Sequence, residues 1–258
     1  MKLVRIDPPG TFCFYEAVFD MVDRLHARTF VEVGCGAGGL SYKLVERGLT
    51  GVGYDFSAEA VALATETLRP FIAARRYQLI HGDVWSIAAS EEHVDLSLSM
   101  MVMEHIHDDV AFLQKLASLV RPGGHVLVAV PGRKEKWSVE DDTVGHLRRY
   151  DREDLIATFA KAQIENVEVW SVAVPTANLL FSLGNLMIRH SAETEKRQQS
   201  QRQQTETSGI REIPFKTVFP PFCKLLLNRV TLAPLFWLQR RFYHTRLGLT
   251  LLGVGTVK

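Results

Sequence analysis

The stretch VEVGCGAGGLS, residues 31–41, joins a short apolar run to a loop with four glycines. Such a run is typical of a buried parallel strand, and the glycines permit a tight turn into a helix. The loop fits two patterns that bring the backbone close to an adenosine ligand. Three glycines match G-x-G-x-x-G, the dinucleotide fingerprint: Gly34, Gly36 and Gly39. An acid and three glycines instead match E-x-G-x-G-x-G: Glu32, Gly34, Gly36 and Gly38.

Apolar and amphipathic segments alternate on both sides of this loop. Apolar runs predict strands at residues 30–34, 51–56, 77–84, 94–102, 125–131, 164–172 and 247–258. Helical spacing predicts helices at 14–27, 39–48, 58–71, 108–120 and 151–162, the last with Asp151 as N-cap and Asp154 at its third position. This alternation is the signature of an α/β fold with a doubly wound, Rossmann-like, mostly parallel sheet.

The composition is that of an ordinary globular protein. Of 258 residues, 47% are hydrophobic and 23% charged, and the net charge of +1 does not indicate a nucleic-acid partner. The cysteines, Cys13, Cys35 and Cys223, form no C-x-x-C pair and suit a reducing compartment. We see no signal peptide and no uncharged apolar run of roughly 18 residues, so we expect a cytoplasmic protein.

Two acids follow the next two predicted strands. Asp55 lies 19 residues beyond Gly36, where a carboxylate can accept hydrogen bonds from both hydroxyls of a ribose. Asp83, in the stretch HGDV at 81–84, ends the following strand. It could contact an adenine amino group or cap the next turn. Phe56 could stack on adenine or simply belong to the core.

Five stretches in order, VEVGCGAGG, GYDFS, GDVWS, MVMEHIHDD and LVRPGGHVLVAVP, resemble motifs of the class I S-adenosylmethionine-dependent methyltransferases. The resemblance covers residues 28–172 and the last strand, and is to small-molecule enzymes similar to the ubiquinone-biosynthesis O-methyltransferases. It implies seven strands with an antiparallel last strand, and S-adenosyl-L-methionine as cofactor. The residues it implies for cofactor binding are Glu32, Gly34, Gly36, Gly38, Asp55, Phe56, Asp83, Val84 and Met100.

The stretch MMVMEHIHDD, from Met100, follows the fourth strand and should face donor and acceptor. Met101 is predicted to contact the acceptor. The ubiquinone group has a similar M-E-M-L-E-H stretch associated with a divalent ion, but Met101 stands where its first Glu would be. We therefore expect no metal, although Glu104, His105 and His107 are potential ligands.

The stretch GHLRRYD, residues 145–151, resembles a G-H-x-R-x-[FY] segment of small-molecule methyltransferases. If it is extended, His146, Arg148 and Tyr150 project on one face. We predict His146 as general base, with His105 as a second candidate, and Arg148 and Tyr150 as acceptor contacts. Alternatively, the arginines Arg148 and Arg149 pair with Asp141, Asp142 or Asp151 and only fix the loop.

From Val174 the alternation breaks, so we divide the chain into a core (1–173 with 248–258) and an insertion (174–247). Residues 191–209 are polar and predict a solvated helix or disorder. Residues 210–247 are apolar and basic, with seven Lys/Arg against one Glu, and prolines 220, 221 and 234 should divide them into short helices. We expect a lid over the acceptor, with Phe236 and Trp237 as contacts, and peripheral membrane contact as an additional role.

The predicted function is methyl transfer to a small lipophilic acceptor, with O-methylation favoured and the oligomeric state left open. A nicotinamide-dependent oxidoreductase is the main alternative, but it would need a dyad such as Y-x-x-x-K, and Tyr42 is followed directly by Lys43. The second alternative is a non-catalytic methyltransferase-like partner subunit. Nucleic acid is not expected as a partner, because no N-P-P-Y-type motif follows the fourth strand.

Overall fold

The computed structural model describes residues 4–87, 93–189 and 218–258. The strands are β1 (Val4–Arg5), β2 (Thr29–Val33), β3 (Thr50–Asp55), β4 (Tyr77–His81), β5 (Val94–Met100), β6 (Val120–Pro131), β7 (Glu165–Val172), β8 (Val218–Phe219) and β9 (Thr250–Thr256). The α-helices are α1 (Pro9–Leu25), α2 (Gly39–Glu46), α3 (Ala58–Ala73), α4 (Asp109–Ala117), α5 (Val139–Val144), α6 (Arg152–Lys161), α7 (Thr176–Arg189) and α8 (Ala233–Arg240).

Seven strands form one sheet in the order β4-β3-β2-β5-β6-β9-β7. Neighbours from β4 to β6 pair in parallel, whereas β9 pairs antiparallel with both β6 and β7. The predicted fold class is therefore confirmed, including the antiparallel last strand. The chain begins this sheet at β2, moves outward to β4 and returns to β5. The strand order thus reverses between β2 and β5, where open α/β sheets bind their ligands beyond the carboxyl ends of the strands.

Both faces of the sheet are buried. Consecutive residues of β2 show this: Phe30 belongs to a cluster with side chains of α1, α2 and α3, and Val31 to a cluster with side chains of α4 and α6. Since successive strand residues point to opposite faces, this division explains why the strands read as continuous apolar runs rather than alternating ones.

Local capping places several helices where they were predicted. The Ser57 hydroxyl accepts a hydrogen bond from the Ala60 N–H at 3.3 Å at the start of α3. The Asp154 carboxylate accepts one from the Asp151 N–H at 2.8 Å, as expected of a capping residue at the third position of α6. The predicted leading helix begins earlier, at Pro9, because proline is tolerated in the first turn.

The described part of the insertion packs against the core. β8 pairs antiparallel with β1, joining Phe219 to Val4. In α8, buried Gln239 donates to the Cys13 carbonyl at 2.8 Å and accepts from the Ala173 N–H at 3.1 Å. Helices α5 and α7 and the short strands β1 and β8 were not predicted from the sequence. The polar segment 191–209 lies outside the described residues. The division at 173/174 and 247/248 stays a prediction.

Within the described residues, no helix is both long enough and apolar enough to cross a membrane.

Candidate functional site

A cavity of about 1040 Å³ lies beyond the carboxyl ends of β2, β3, β5 and β6. One end is lined by the glycine loop and by residues that follow β3 and β4. The other end is lined by α7, by the start of α1 and by Phe219 and Leu227. The cavity therefore joins the expected cofactor end to part of the insertion.

The glycine loop has the backbone that a closely approaching ligand needs. Gly34, Gly36 and Gly38 have φ values of 79°, 54° and 78°, in the left-handed region that favours glycine. A Cβ on Gly34 would clash with the Val102 side chain, and one on Gly38 would lie 2.6 Å from Leu68 Cδ1. A Cβ on Gly36 would meet nothing within 4 Å, and this glycine lines the cavity. The space beside Gly36 is therefore open to a ligand, and a side chain at this position would fill it. This open, glycine-lined backbone fits an adenosine cofactor.

Asp55 connects the loop to the end of β3. Its Oδ2 accepts a hydrogen bond from the Gly36 N–H at 2.7 Å, and its Oδ1 accepts one from the Ser57 N–H at 2.9 Å. The residue is only 7% exposed and lines the cavity. Each carboxylate oxygen has a second lone pair, so Asp55 can still accept from a ribose diol.

Gly38 does not line the cavity; of the remaining predicted cofactor residues, all but one do. Phe56, Asp83, Val84 and Met100 line the cavity. Asp83 also caps the following turn, because its Oδ1 accepts from the Trp85 N–H at 3.0 Å. Both roles that the sequence left open for Asp83 are thus compatible.

The exception is Glu32, which lies beneath the loop rather than in the cavity wall. It is 2% exposed and accepts a hydrogen bond from the Ser41 hydroxyl, which lies 2.7 Å from the Tyr77 hydroxyl. Burial raises the pKa of Glu32 to about 8, and the hydrogen bond from Ser41 opposes this rise. Glu32 is placed to hold β2 and α2 together under the loop.

Asp141, which the sequence indicated only as an arginine partner, binds two residues on the acceptor side of the cavity. Its Oδ1 accepts from His146 Nδ1 at 2.8 Å and from Arg149 Nε at 2.8 Å. Its Oδ2 accepts from the Ser138 N–H at 2.7 Å, at the start of α5. Burial opposes ionisation, but the hydrogen bonds from His146 and Arg149 lower the pKa of Asp141 to about 2. His146 and Arg149 both line the cavity.

Glu104 faces the other ring nitrogen of the same histidine. Its Oε1 lies 3.5 Å from His146 Nε2, and the residue is completely buried. Neither carboxylate oxygen has a hydrogen-bond partner among the described residues. Burial raises the pKa of Glu104 to about 7. His146 is thus held between two buried carboxyl groups.

His105, the second predicted base, also lines the cavity. Its Nδ1 lies 3.2 Å from the Gly145 carbonyl oxygen, and its ring centre is 4.9 Å from that of His146. Burial and the neighbouring His146 lower the pKa of His105 to about 4. His105 is therefore neutral at pH 7. A carbonyl can only accept, so its proton is on Nδ1 and its lone pair is on Nε2.

Three of these side chains could serve as metal ligands, which bears on the predicted absence of a metal. Glu104, His105 and His146 each offer one ligand atom, and these atoms lie within 4.8 Å of one another. His146 was not among the potential ligands predicted from the sequence, because it is distant from Glu104 and His105 in the chain. The set has one oxygen and two imidazole nitrogens, whereas magnesium prefers oxygen ligands. The residues thus fit a hard cation poorly, and the absence of a metal stays a prediction.

The predicted shared face of His146, Arg148 and Tyr150 is wrong. Arg148 Nη1 and the Tyr150 hydroxyl both donate to Asp109 Oδ2, at 3.0 and 2.9 Å, and neither residue lines the cavity. Arg149 takes the place expected for Arg148. The reason is that residues 146–149 do not form a strand, so the period of two does not apply: His146 shares the Asp141 carboxylate with Arg149, three residues on, whereas Arg148 and Tyr150 share Asp109. The alternative pairing with nearby acids is observed for Arg149, which binds Asp141, whereas Arg148 pairs with Asp109, an acid that the alternative did not include.

The aromatic residues predicted to contact the acceptor lie elsewhere as well. Phe236 is buried in a cluster with Cys13, Ala173 and Leu232, and Trp237 is 58% exposed; neither lines the cavity. Met101 does line it. The apolar wall comes instead from α7, through Ala177, Leu180, Phe181, Leu183 and Gly184. Their spacing is helical and could have been recognised in the sequence.

Comparisons with known proteins bear on the family of the chain. A family model described as "Methyltransferase domain" matches residues 14–169. The ubiquinone biosynthesis O-methyltransferase of Cupriavidus pinatubonensis is 34% identical over 118 residues, which are 45% of this chain and 47% of that protein. The enzyme of the same name from Parvibaculum lavamentivorans is 33% identical over 107 residues, 42% of each chain. The matches span about half the length of these curated relatives.

The fold has counterparts among solved structures. The structure of Haemonchus contortus phosphoethanolamine N-methyltransferase 2 with S-adenosyl-L-methionine has a TM-score of 0.57 at 16% identity. That match covers 92% of this chain and 51% of the other, and at such identity it shows the fold alone. The family model, however, matches more than half of the chain and includes the glycine loop and Asp55. The chain therefore belongs to the class I S-adenosylmethionine-dependent methyltransferases.

Proposed function

We propose that the protein transfers the methyl group of S-adenosyl-L-methionine to a hydroxyl group of a small lipophilic acceptor. The observation that carries this proposal is the continuity of one cavity: Gly36 and Asp55 line one end, and Leu180 and Phe181 of α7 line the other. A cofactor held by the first pair would present its reactive end toward an apolar compartment.

The lining of that compartment supports a lipophilic acceptor. Beside the residues of α7, it contains Phe14 from α1 and Phe219 and Leu227 from the insertion. Sites for small molecules are mostly apolar, with a few polar groups that fix orientation. His105, His146 and Arg149 are among the polar residues that line this cavity.

The protein's contribution to methyl transfer would be alignment, exclusion of water and removal of a proton. When bound, the cofactor supplies an electrophilic methyl group on a positively charged sulfur. The apolar wall of α7 would keep water from the reacting atoms, and the cavity would align the acceptor oxygen with that methyl group.

Of the two predicted bases, His105 is the better supported. It lines the cavity and its lowered pKa leaves the ring neutral at pH 7, whereas the two ring nitrogens of His146 face the buried carboxyl groups of Asp141 and Glu104, at 2.8 and 3.5 Å. The acceptor's hydroxyl proton would pass to Nε2 of His105 as the new carbon–oxygen bond forms and the methyl carbon–sulfur bond breaks, with its electron pair remaining on the sulfur of the departing thioether. His146, fixed by Asp141, would stand beside His105 and orient its ring.

Product analysis tests the proposal. Purified protein is incubated with the cofactor and separate phenolic, carboxylate and lipid acceptors, and products are identified by mass spectrometry. We expect a methyl ether on a lipophilic hydroxyl compound, and a much lower rate in His105→Gln. His244→Gln is the matched control, because His244 is exposed and does not line the cavity.

The same experiment distinguishes the alternatives. A methyl ester on a carboxylate acceptor would contradict O-methylation of a hydroxyl group. Cofactor binding without turnover on every acceptor class would favour a non-catalytic partner subunit. A nicotinamide-dependent oxidoreductase is not proposed, because the chain belongs to a different family. Cytoplasmic location remains a prediction.

A further inference from the structure

Exposed apolar side chains are concentrated on two segments of the insertion. Fifteen large hydrophobic residues are exposed among the described residues, and ten of them lie on α7 or within residues 218–247. These ten are Leu179, Leu180, Leu183, Leu186, Phe222, Leu225, Leu226, Val230, Trp237 and Leu247. Isolated exposed hydrophobic residues are ordinary, but a concentration of this kind marks an interaction surface.

On α7 this surface is continuous with the cavity wall. Leu180, Phe181 and Gly184 line the cavity. Leu179 and Leu183 lie four residues apart, on a neighbouring face of the helix, and are 78% and 48% exposed. Leu183 belongs to both sets, because it also lines the cavity. The apolar wall therefore extends to the outside of the molecule at Leu183.

The segment 218–230 repeats this arrangement. Phe219 and Leu227 line the cavity, while Leu225, Leu226 and Val230 are 77%, 66% and 83% exposed. Both segments thus contribute one set of apolar side chains to the cavity and another to the surface beside it.

The charge of these segments has one sign. The described residues of α7 and 218–247 include no Asp or Glu. Three arginines pair with acids of other elements: Arg229 with Glu16, Arg240 with Asp20, and Arg246 with Glu153. Two further cations, Lys224 and Arg241, lie next to exposed apolar residues, and the Arg241 guanidinium is 4.7 Å from the centre of the Trp237 ring.

We infer that the surface formed by Leu179, Leu183, Phe222, Leu225, Leu226 and Val230 docks on an anionic lipid bilayer and opens the cavity toward it. Apolar side chains with neighbouring cations are what a bilayer with anionic head groups binds. A symmetric contact with a second copy would bring two basic surfaces together without acids to pair them. The docking itself is independent of the proposed function. The further claim, that a lipophilic acceptor enters the cavity through this opening, rests on the proposed function.

Co-sedimentation of the full chain with vesicles tests the docking. We expect binding to vesicles of phosphatidylcholine with phosphatidylglycerol, weaker binding to phosphatidylcholine alone, and loss of the difference in high salt. The double variant Leu225→Ser/Leu226→Ser should lower the partition coefficient about tenfold. Lys224→Glu/Arg241→Glu should remove the preference for phosphatidylglycerol. Leu63→Ser/Ile156→Ser, at exposed positions outside this surface, is the matched control and should partition like the wild type.

Several results would overturn the inference. The first is that the protein binds neither kind of vesicle. The second is that Leu63→Ser/Ile156→Ser loses as much binding as Leu225→Ser/Leu226→Ser. The third is that Leu225→Ser/Leu226→Ser keeps the wild-type partition coefficient. A concentration-dependent dimer that this variant abolishes would assign the surface to a second copy instead. Calorimetric cofactor affinity checks folding, since both leucines lie outside the cavity wall. Turnover on a short, water-soluble acceptor without vesicles should be unchanged in the variant. Absence of turnover in the wild type would count against the proposed function. The docking would still be decided by the vesicle binding, which does not depend on turnover.

Discussion

Nδ1 of His146 lies 2.8 Å from Oδ1 of Asp141, and the same oxygen accepts a hydrogen bond from Arg149. This completely buried carboxylate therefore orients two residues of the cavity wall at once. It also accepts from the Ser138 N–H, so the position of His146 depends on the start of α5. The Asp141–His146 pair is buried, so its loss should affect both the stability of the fold and the rate of turnover.

Asp141→Asn should lower the free energy of unfolding at pH 7. The pKa of Asp141 is lowered from its usual 3.8 to about 2, although burial opposes this, by hydrogen bonds from His146 and Arg149. A lowered carboxyl pKa stabilises the fold above pH 3.8, and that stability is lost as pH falls toward 2. We expect a loss of about 2 kcal/mol at pH 7 that shrinks below pH 4. Urea denaturation over this pH range measures it.

The neighbouring carboxylate provides the control for this prediction. Asp142 is exposed and accepts from Trp137 Nε1 at 2.8 Å. Asp142→Asn should therefore cost less than Asp141→Asn. An equal cost in the two variants, independent of pH, would contradict the role assigned to Asp141.

Asp55→Ala should weaken cofactor binding without destroying the fold. The substitution removes an acceptor for the ribose diol, worth about 1.5–3 kcal/mol, or roughly tenfold to a hundredfold in Kd. It also releases the Gly36 N–H, which Asp55 now holds at 2.7 Å. Calorimetry with S-adenosyl-L-methionine and with its demethylated product gives the affinities, and NADH serves as the negative control. Tight NADH binding, or an unchanged affinity in the variant, would disprove the cofactor assignment.

Chelation should leave turnover intact. Glu104, His105 and His146 offer only one oxygen ligand together with two nitrogens, which suits a hard cation such as magnesium poorly. Activity is measured after dialysis against EDTA and again after magnesium or zinc is restored. Complete loss in EDTA with recovery in one metal would show that these three residues hold a cation.

Two phenylalanines of the insertion should behave differently. Phe181 lines the cavity, so Phe181→Ala should lower kcat/KM for a lipophilic acceptor about tenfold while cofactor affinity changes little. Phe236 is 5% exposed and packs with Cys13, so Phe236→Ala should instead destabilise the fold by about 3–5 kcal/mol. Thermal unfolding and acceptor kinetics on both variants separate these effects. Equal effects of the two changes on kcat/KM, with no loss of stability in Phe236→Ala, would contradict the assignment.

The sequence by itself was sufficient for the features that depend on local signals. The strands and the glycine loop were recognisable because apolar runs and positive-φ glycines act within a few residues of each other. Asp55 was predictable because the end of β3 must lie beside the loop that follows β2 in any parallel sheet of this kind. The family resemblance rested on the same segments, and the matching model covers them.

Tertiary structure alone decided how the acceptor side is assembled. Residues 146–149 do not form the extended strand that was expected, and the partner acids decide the orientation: Arg149 binds Asp141 and lines the cavity, whereas Arg148 binds Asp109. The contacts of Asp141 and Glu104 with His146 were not predicted, because they depend on the burial of all three side chains, and Glu104 is distant from His146 in sequence. The apolar wall came from α7 rather than from Phe236, because both segments are equally apolar and only packing determines which one covers the cavity. Hydrophobic burial is non-directional, so composition can predict that a segment packs but not against what.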